Sequence, residues 1–205
     1  MSQSVDNKIL SRIYGRHRGW VFTPITFLDL GRRAAVDQTL GRLTKSGAIR
    51  RLARGLYDYP AKHPDFGDLP PNYDRIAQAL AGRDNLKIQP SGAYAANLLG
   101  LTEQVPAKIV FFTDGPNRKV QIYKQKIVLK RTTPKNMATA GRISGLVIQA
   151  LRYLKQGNMD STVIVKLKRR LSEDDKSTLM NDIRYAPAWI GNIFRKIQER
   201  EINAH

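Results

Sequence analysis

The chain has no cysteine and only three histidines among its 205 residues. Without thiols it can form no disulfide and no thiolate metal site, and the histidines lie far apart at positions 17, 63 and 205. It also lacks the glycine-rich phosphate-binding loops, the paired-histidine motif of metalloproteases and the G-x-S-x-G motif of hydrolases. We therefore expect a protein that is not an enzyme and that has no catalytic residue, no cofactor and no metal.

Long apolar runs are also absent from the sequence. No stretch is long enough to span a bilayer, and the first residues do not show the charged and then apolar pattern of a signal peptide. These features predict a cytoplasmic protein without a membrane partner.

Acidic residues are scarce relative to basic ones. The 17 Asp and Glu face 35 Lys and Arg, so that the formal net charge is +18 and the isoelectric point is near 10.4. Such a charge attracts polyanions, of which nucleic acid comes first and an anionic membrane or an acidic protein next. Residues 1–71 carry 12 basic and 6 acidic residues, a net +6, and residues 72–205 carry 23 and 11, a net +12. Both halves are therefore basic.

The most specific pattern begins with a helix that can start at Gly31. Val36, Leu40 and Leu43 recur at i, i+4 and i+7, which predicts a helix with one apolar face. Gly47 is expected to end it, because glycine adopts the left-handed conformation at low cost.

A basic hairpin is predicted directly after this helix. Two short strand-like runs at residues 48–53 and 56–59 are joined by Arg54-Gly55, a tight-turn dipeptide. A helix followed at once by a basic hairpin is the pattern of a winged helix-turn-helix, and DNA binding is the expected function.

The side chains opposite the apolar face of the helix would face DNA. Arginine can bind guanine, and glutamine adenine, through two hydrogen bonds, and the short Ala34 would let the helix approach closely. The predicted exposed face consists of Arg33, Ala34, Asp37, Gln38 and Arg42. On the hairpin, Arg50, Arg51 and Arg54 are expected at phosphate or in the minor groove. The less specific alternative is a small domain whose arginines serve only solubility.

The flanking residues complete the predicted DNA-binding domain. A helix is expected at residues 5–16 and an aromatic strand at residues 19–22, which would pair with the hairpin. Thr23-Pro24 should begin a second helix, with Thr as its cap. The Pro-, Gly- and Asp-rich segment 61–72 is predicted to be a linker without a strand or helix.

Residues 73–205 are predicted to form a second, mixed domain. We expect a helix at 73–81, strands at 86–89 and 108–113, and a hairpin at 119–131. Further helices are predicted at 91–99, 139–154, 172 onward and from Pro187 to about Ile202. Residues 160–171 alternate like a strand, but their context favours a helix. The predicted fold class is thus α+β: an N-terminal winged helix-turn-helix (1–60), a linker (61–72) and a mixed domain with a small sheet and C-terminal helices (73–205).

Residues 118–135 contain seven basic residues and no acidic one. As a hairpin, this segment could place four lysines along DNA, RNA or a partner: Lys119, Lys124, Lys126 and Lys130. Alternatively, these lysines protect an exposed edge against aggregation. The sequence does not decide between the two.

Two blocks of sequence resemble a known family. W-V-F-T-P at residue 20 and L-T-K-S-G-A-I-R-R-L-A-R-G-L-Y-D-Y-P at residue 43 are similar to the N-terminal winged helix of AbiEi-type antitoxins, from bacterial type IV toxin–antitoxin (abortive infection) systems. S-G-A-Y-A-A-N-L-L-G-L-T-E-Q-V-P at residue 91 and K-I-V-F-F-T-D-G at residue 108 resemble the start of that family's second domain. The resemblance extends over about residues 5–135.

The resemblance implies a function for each domain. The winged helix would bind inverted repeats in the operator of its own operon and repress transcription. The second domain would neutralise a nucleotidyltransferase-like toxin, without direct contact being implied. The matching positions for DNA contact are Arg32, Arg33, Gln38, Arg42, Arg50, Arg51 and Arg54. The alternatives from the residues are a basic protein-interaction module, another winged-helix transcriptional regulator and an RNA-binding accessory of an enzyme.

Overall fold

The structure, a computed structural model, describes residues 4–82 and 84–199. Its contacts divide the chain into two units, one made of the described residues up to Leu86 together with Val120–Lys124, and the other of the remainder. The helix after residue 72 belongs to the first of these units, whereas composition placed it in the second domain. The domain boundaries at residues 60 and 73 remain a prediction. Both units combine helices with small sheets, so the fold class is α+β.

The first unit contains three α-helices and five strands. In chain order they are α1 (Val5–Tyr14), β1 (Trp20–Phe22), α2 (Arg33–Lys45), β2 (Arg50–Ala53), β3 (Leu56–Tyr59), β4 (Lys62–His63), β5 (Gly67–Asp68) and α3 (Tyr73–Gly82). The helix predicted at Thr23-Pro24 is instead a four-residue 3₁₀ helix, Pro24–Phe27, and the side chain of Thr23 does not cap it. Its bonds run from residue i to i−3, and Phe27 is fully buried, so the segment turns tightly around this ring.

The strands β1, β3 and β2 form an antiparallel sheet in that order. Trp20 lies opposite Tyr59 and Phe22 opposite Tyr57, which confirms that the aromatic strand pairs with the hairpin. The turn between β2 and β3 contains Gly55 at φ +70°, as the dipeptide predicted. The sheet therefore closes over α1 and α2, and its core contains Ile9, Ile13, Phe22, Phe27, Val36, Leu40, Ile49 and Tyr57.

The expectation that residues 61–72 contain no strand was wrong. The strands β4 and β5 pair in a short hairpin, with Lys62 opposite Asp68 and His63 opposite Gly67. Gly67 has φ +68°, which lets the chain reverse within four residues. Proline and glycine here indicate a tight reversal rather than an unstructured linker.

The second unit contains a four-stranded sheet and six α-helices among its described residues. They are β6 (Ile88–Pro90), α4 (Gly92–Leu98), β7 (Lys108–Thr113), β8 (Arg118–Ile122), β9 (Gln125–Arg131), α5 (Pro134–Met137), α6 (Ile143–Leu154), α7 (Ser161–Arg170), α8 (Glu173–Asn181) and α9 (Ala188–Gln198). The tip of the β8–β9 hairpin, residues 120–124, is grouped with the first unit. The strand order is β6-β7-β9-β8, in which β7 and β9 are parallel.

Most of the helices predicted in this half are confirmed, with one correction to their limits. The helix expected from Thr139 begins only at Ile143, after the short α5. The segment at 160–171, which alternates like a strand, is helical, and the capping box at Ser172 is formed with Asp175. The predicted end of the last helix near Ile202 lies outside the described residues. These helices bury Val147, Leu151, Leu167, Leu179, Ile190 and Phe194 in one core.

Within residues 4–82 and 84–199, every helix is too short or too polar to cross a membrane.

Candidate nucleic-acid interface

Helix α2 has one buried face and one face open to solvent. Val36 and Leu40 are fully buried and Thr39 is 1% exposed, while Leu43 packs at the edge of the same core. Gly47, at φ +74°, follows the end of the helix, as predicted. Packing of these side chains against the core leaves the opposite face of α2 exposed to solvent.

The centre of the outward face is a row of small and polar side chains. Ala34, Gln38, Gly41 and Lys45 follow each other at spacings of four, three and four residues, and therefore share one side of the helix. We call these four residues the α2 row. The sequence prediction included Ala34 and Gln38 but missed Gly41 and Lys45, although their spacing would have identified them.

Gly41 is not required by the packing of the described residues. A Cβ atom built there would have no neighbour within 4 Å, and the backbone has ordinary helical angles. A glycine inside a helix costs about 0.5–1 kcal/mol relative to alanine. The glycine thus leaves open space beside the helix, into which an outside molecule can come close.

Two of the predicted DNA-contacting arginines lie at the sides of the row and form ion pairs. Nε of Arg33 donates to Asp37 at 2.8 Å, one turn along the same helix. Nη2 of Arg42 lies 2.7 Å from Asp6 of α1, whose carboxylate also accepts from the hydroxyl of Thr39. Both arginine side chains remain about half exposed, so that they can still face an anion, but each has a carboxylate beside it.

Arg50 points into the protein and holds the hairpin together. Its Nε and Nη2 donate to the two carboxylate oxygens of Asp58 at 3.0 and 2.6 Å, and Nη2 also donates to the carbonyl of Leu69 at 3.0 Å. Asp58 is 1% exposed, and its hydrogen bond raises the pKa of Arg50 above the ordinary value. The guanidinium predicted to contact DNA is therefore engaged inside the hairpin.

The other two hairpin arginines are exposed. Arg51 alternates with Arg50 along β2 and lies on the outer side, and Arg54 lies in the turn before Gly55. Neither has a carboxylate partner within the part of the chain that the structure describes, and the same holds for Arg32 at the start of α2.

An ion pair fixes the segment that leads into α2. Both Nη atoms of Arg12 donate to the carboxylate of Asp29 at 2.7 Å, and Nη1 also donates to the carbonyl of Thr26 at 2.9 Å. The hydrogen bonds lower the pKa of Asp29 and raise that of Arg12. Helix α1 thus holds the turn that precedes α2.

The four lysines of the second predicted surface are exposed, but they lie on different parts of the sheet. Lys119 lies on the edge strand β8 and Lys124 in the turn. Lys126 and Lys130 lie on β9, between β7 and β8, and Lys126 is directly opposite Lys108. Protection of an edge therefore accounts for Lys119 but not for the two lysines of the inner strand.

Comparisons with known proteins give a family. No curated protein matches the chain. A family model described as a family of unknown function (DUF6088) matches residues 8–179, which include the helix–hairpin segment and most of the second unit. The chain belongs to the DUF6088 family.

Proposed function

We propose that the chain is a sequence-specific DNA-binding protein whose first unit is a winged helix-turn-helix, with α2 as the recognition helix. The order of α1, β1, the 3₁₀ turn, α2 and the β2–β3 hairpin supports this fold. The α2 row carries the proposal, because it is a polar, open helix face with a glycine that the interior does not need. Such a face fits the major groove, where Gln38 can bind adenine through two hydrogen bonds.

The distribution of charge supports a polyanionic partner. Four cations of this segment have no carboxylate partner among the described residues: Arg32, Lys45, Arg51 and Arg54. With a net charge of +18, the chain also has a strong long-range attraction for DNA. In this proposal Arg33 and Arg42 contact DNA from the sides of the α2 row, and Arg50 shapes the hairpin.

The biological role that we propose follows from the resemblance to AbiEi-type antitoxins. The first unit would bind inverted repeats in its own operator and repress transcription. The second unit would counteract a nucleotidyltransferase-like toxin in the cytoplasm, with or without direct contact. In this role the chain needs no cofactor and catalyses no reaction.

Fluorescence anisotropy tests the DNA-binding proposal. Labelled duplexes tiling the region upstream of the protein's own reading frame are titrated with the full chain, and each is compared with a shuffled duplex of the same composition. We expect one duplex to bind about 10³-fold or more tightly than its shuffled control at physiological salt. Equal affinity for all duplexes would contradict sequence-specific recognition.

A separate experiment tests the antitoxin role. The chain is expressed together with a nucleotidyltransferase-like protein encoded beside it, and growth is measured with and without the chain. Restored growth is the expected result. Unchanged growth arrest with a folded, expressed chain would contradict the antitoxin role and leave the DNA-binding proposal to its own test.

A further inference from the structure

The β4–β5 hairpin presents a large apolar side chain to solvent. Phe66, in the turn between β4 and β5, is 78% exposed, more than any other large apolar residue of the described chain. Beside it, the side chain of Asp65 is 80% exposed. We call Asp65 and Phe66 the hairpin tip. The described residues bury little of this ring.

The tip is well ordered by its own contacts. The backbone N–H of Asp65 donates to Nδ1 of His63 at 3.2 Å, and the rings of His63 and Phe66 are 4.9 Å apart. At the base of the hairpin, the N–H of Leu69 donates to the carbonyl of Ala61 at 2.7 Å. A tip that is ordered in advance loses little conformational entropy when it binds, so it is suited to insertion into a site.

The same unit contains a cleft with the complementary chemistry. It has a volume of about 580 Å³ and lies between β1, the 3₁₀ turn and α3. Its walls include the apolar parts of Trp20, Val21 and Ala79, and two cations, Arg16 and Arg75. The volume falls within the range of about 300–1,000 Å³ that is typical of binding sites.

The two cations of the cleft are available to an anion. Arg16 stacks over the ring of Trp20 at 5.4 Å, and Arg75 uses Nη1 to donate to the carbonyl of Arg18 at 3.2 Å. Neither forms an ion pair with a carboxylate in the described residues. The cleft therefore combines an aromatic and apolar wall with two cations that have no carboxylate partner among residues 4–82 and 84–199.

We propose that the hairpin tip of one chain inserts into the cleft of a second copy of the same chain. Phe66 would pack against Trp20 and the apolar wall, and the carboxylate of Asp65 would pair with Arg16 or Arg75. Local complementarity favours this occupant: the tip presents an exposed phenylalanine beside the carboxylate of Asp65, which is 80% exposed and 3.7 Å from Nδ1 of His63, and the cleft presents an aromatic wall beside two arginines. The contact requires no DNA and does not depend on the function proposed above.

Disulfide trapping tests this contact directly, because the chain has no cysteine of its own. Two single variants, Pro64→Cys beside the hairpin tip and Gln78→Cys, are mixed in DNA-free buffer under mild oxidation, so that Asp65 and Phe66 stay intact. Gln78 lines the cleft, and both positions are exposed. The use of separate chains ensures that any disulfide between the two positions joins two molecules. We expect the mixed dimer to form faster than in a control mixture of Pro64→Cys with Ser177→Cys, an exposed position of α8.

Sedimentation supplies the second measurement. Phe66→Ala should weaken self-association roughly tenfold to a hundredfold, the value of one buried aromatic side chain. Arg16→Glu should weaken it as well, whereas an equal mixture of the two variants restores association, because one intact tip then meets one intact cleft. Circular dichroism of each variant confirms folding. A wild-type chain that stays monomeric at high concentration, with no mixed disulfide above the control, would overturn the proposal.

Discussion

Replacing Gly41 with a larger residue should change stability and DNA binding in opposite directions. A Cβ atom at this position meets nothing within 4 Å, so alanine brings neither a clash nor a packing contact. What remains is the helical preference of alanine over glycine, about 0.5–1 kcal/mol in a helix interior. Gly41→Ala should therefore stabilise the chain by about that amount.

The same methyl group should weaken DNA binding. If the α2 row enters the groove, the open space at Gly41 is occupied by DNA in the complex, and an added group displaces it. We expect a loss of binding free energy comparable to that caused by one mismatched base pair, about 1–3 kcal/mol. Gly41→Met should bind more weakly still, although methionine also favours a helix more than glycine does.

Urea unfolding and anisotropy measure the two effects. For an m-value near 2 kcal/mol/M, the gain for Gly41→Ala corresponds to a shift of the urea midpoint by about 0.25–0.5 M. Gly82→Ala is the control for DNA affinity, because it also faces open space but is the last residue of α3 and lies outside the α2 row. Its DNA affinity should equal that of the wild type. A Gly41→Ala variant that is more stable and binds DNA normally would refute the placement of the α2 row in the groove.

Four further substitutions test other parts of the site. Gln38→Ala should relax preference at one base position by about 1–3 kcal/mol in a panel of single-base variants of the best duplex. Arg51→Ala should lower the affinity for all duplexes alike and reduce the slope of log affinity against log salt concentration by about one. Asp58→Asn leaves the guanidinium it faces half-buried without a charge partner, and urea unfolding should show a loss of about 3 kcal/mol. Asp29→Asn should lower the melting temperature at neutral pH, because the depressed pKa of this carboxyl stabilises the fold above its ordinary value near 3.8. That difference should shrink as the pH falls below 3.8, and it should vanish below the depressed pKa of the folded state, where the carboxyl paired with Arg12 takes up its proton.

Each of these results has a contrary outcome. If Gln38→Ala lowers the affinity for all duplexes equally, Gln38 contacts phosphate rather than a base. If Arg51→Ala lowers the affinity only for duplexes with one particular base, Arg51 contacts that base. Normal stability of Asp58→Asn would mean that the hairpin does not depend on its buried pair. A melting difference for Asp29→Asn that persists in strong acid would assign its effect to packing rather than charge.

The sequence predicted those helices and turns whose pattern lies within a few neighbouring residues. The spacing of Val36, Leu40 and Leu43 identified α2, and the dipeptide Arg54-Gly55 identified the turn of the hairpin. Pairing of the aromatic strand with the hairpin was also predicted, because a short apolar strand needs a neighbouring strand to satisfy its backbone.

The partners of charged residues could not be predicted, since they depend on distant parts of the chain. Arg42 meets Asp6 across 36 positions, and only the packing of α1 on α2 brings them together. Arg50 and Asp58 are eight residues apart, but they meet only because the register of β2 and β3 places them opposite each other. Counting exposed arginines from the sequence therefore overestimated the cations free to contact DNA.

The buried pair of Arg50 and Asp58 makes the hairpin insensitive to ionic strength. Dissolved ions screen interactions between exposed charges, but they reach a carboxylate that is 1% exposed very little. High salt should thus release DNA while the hairpin that presents Arg51 keeps its shape. If the chain binds DNA as proposed, a titration with potassium chloride should dissolve the complex without unfolding the hairpin, and lowering the salt should re-form it on the same sample.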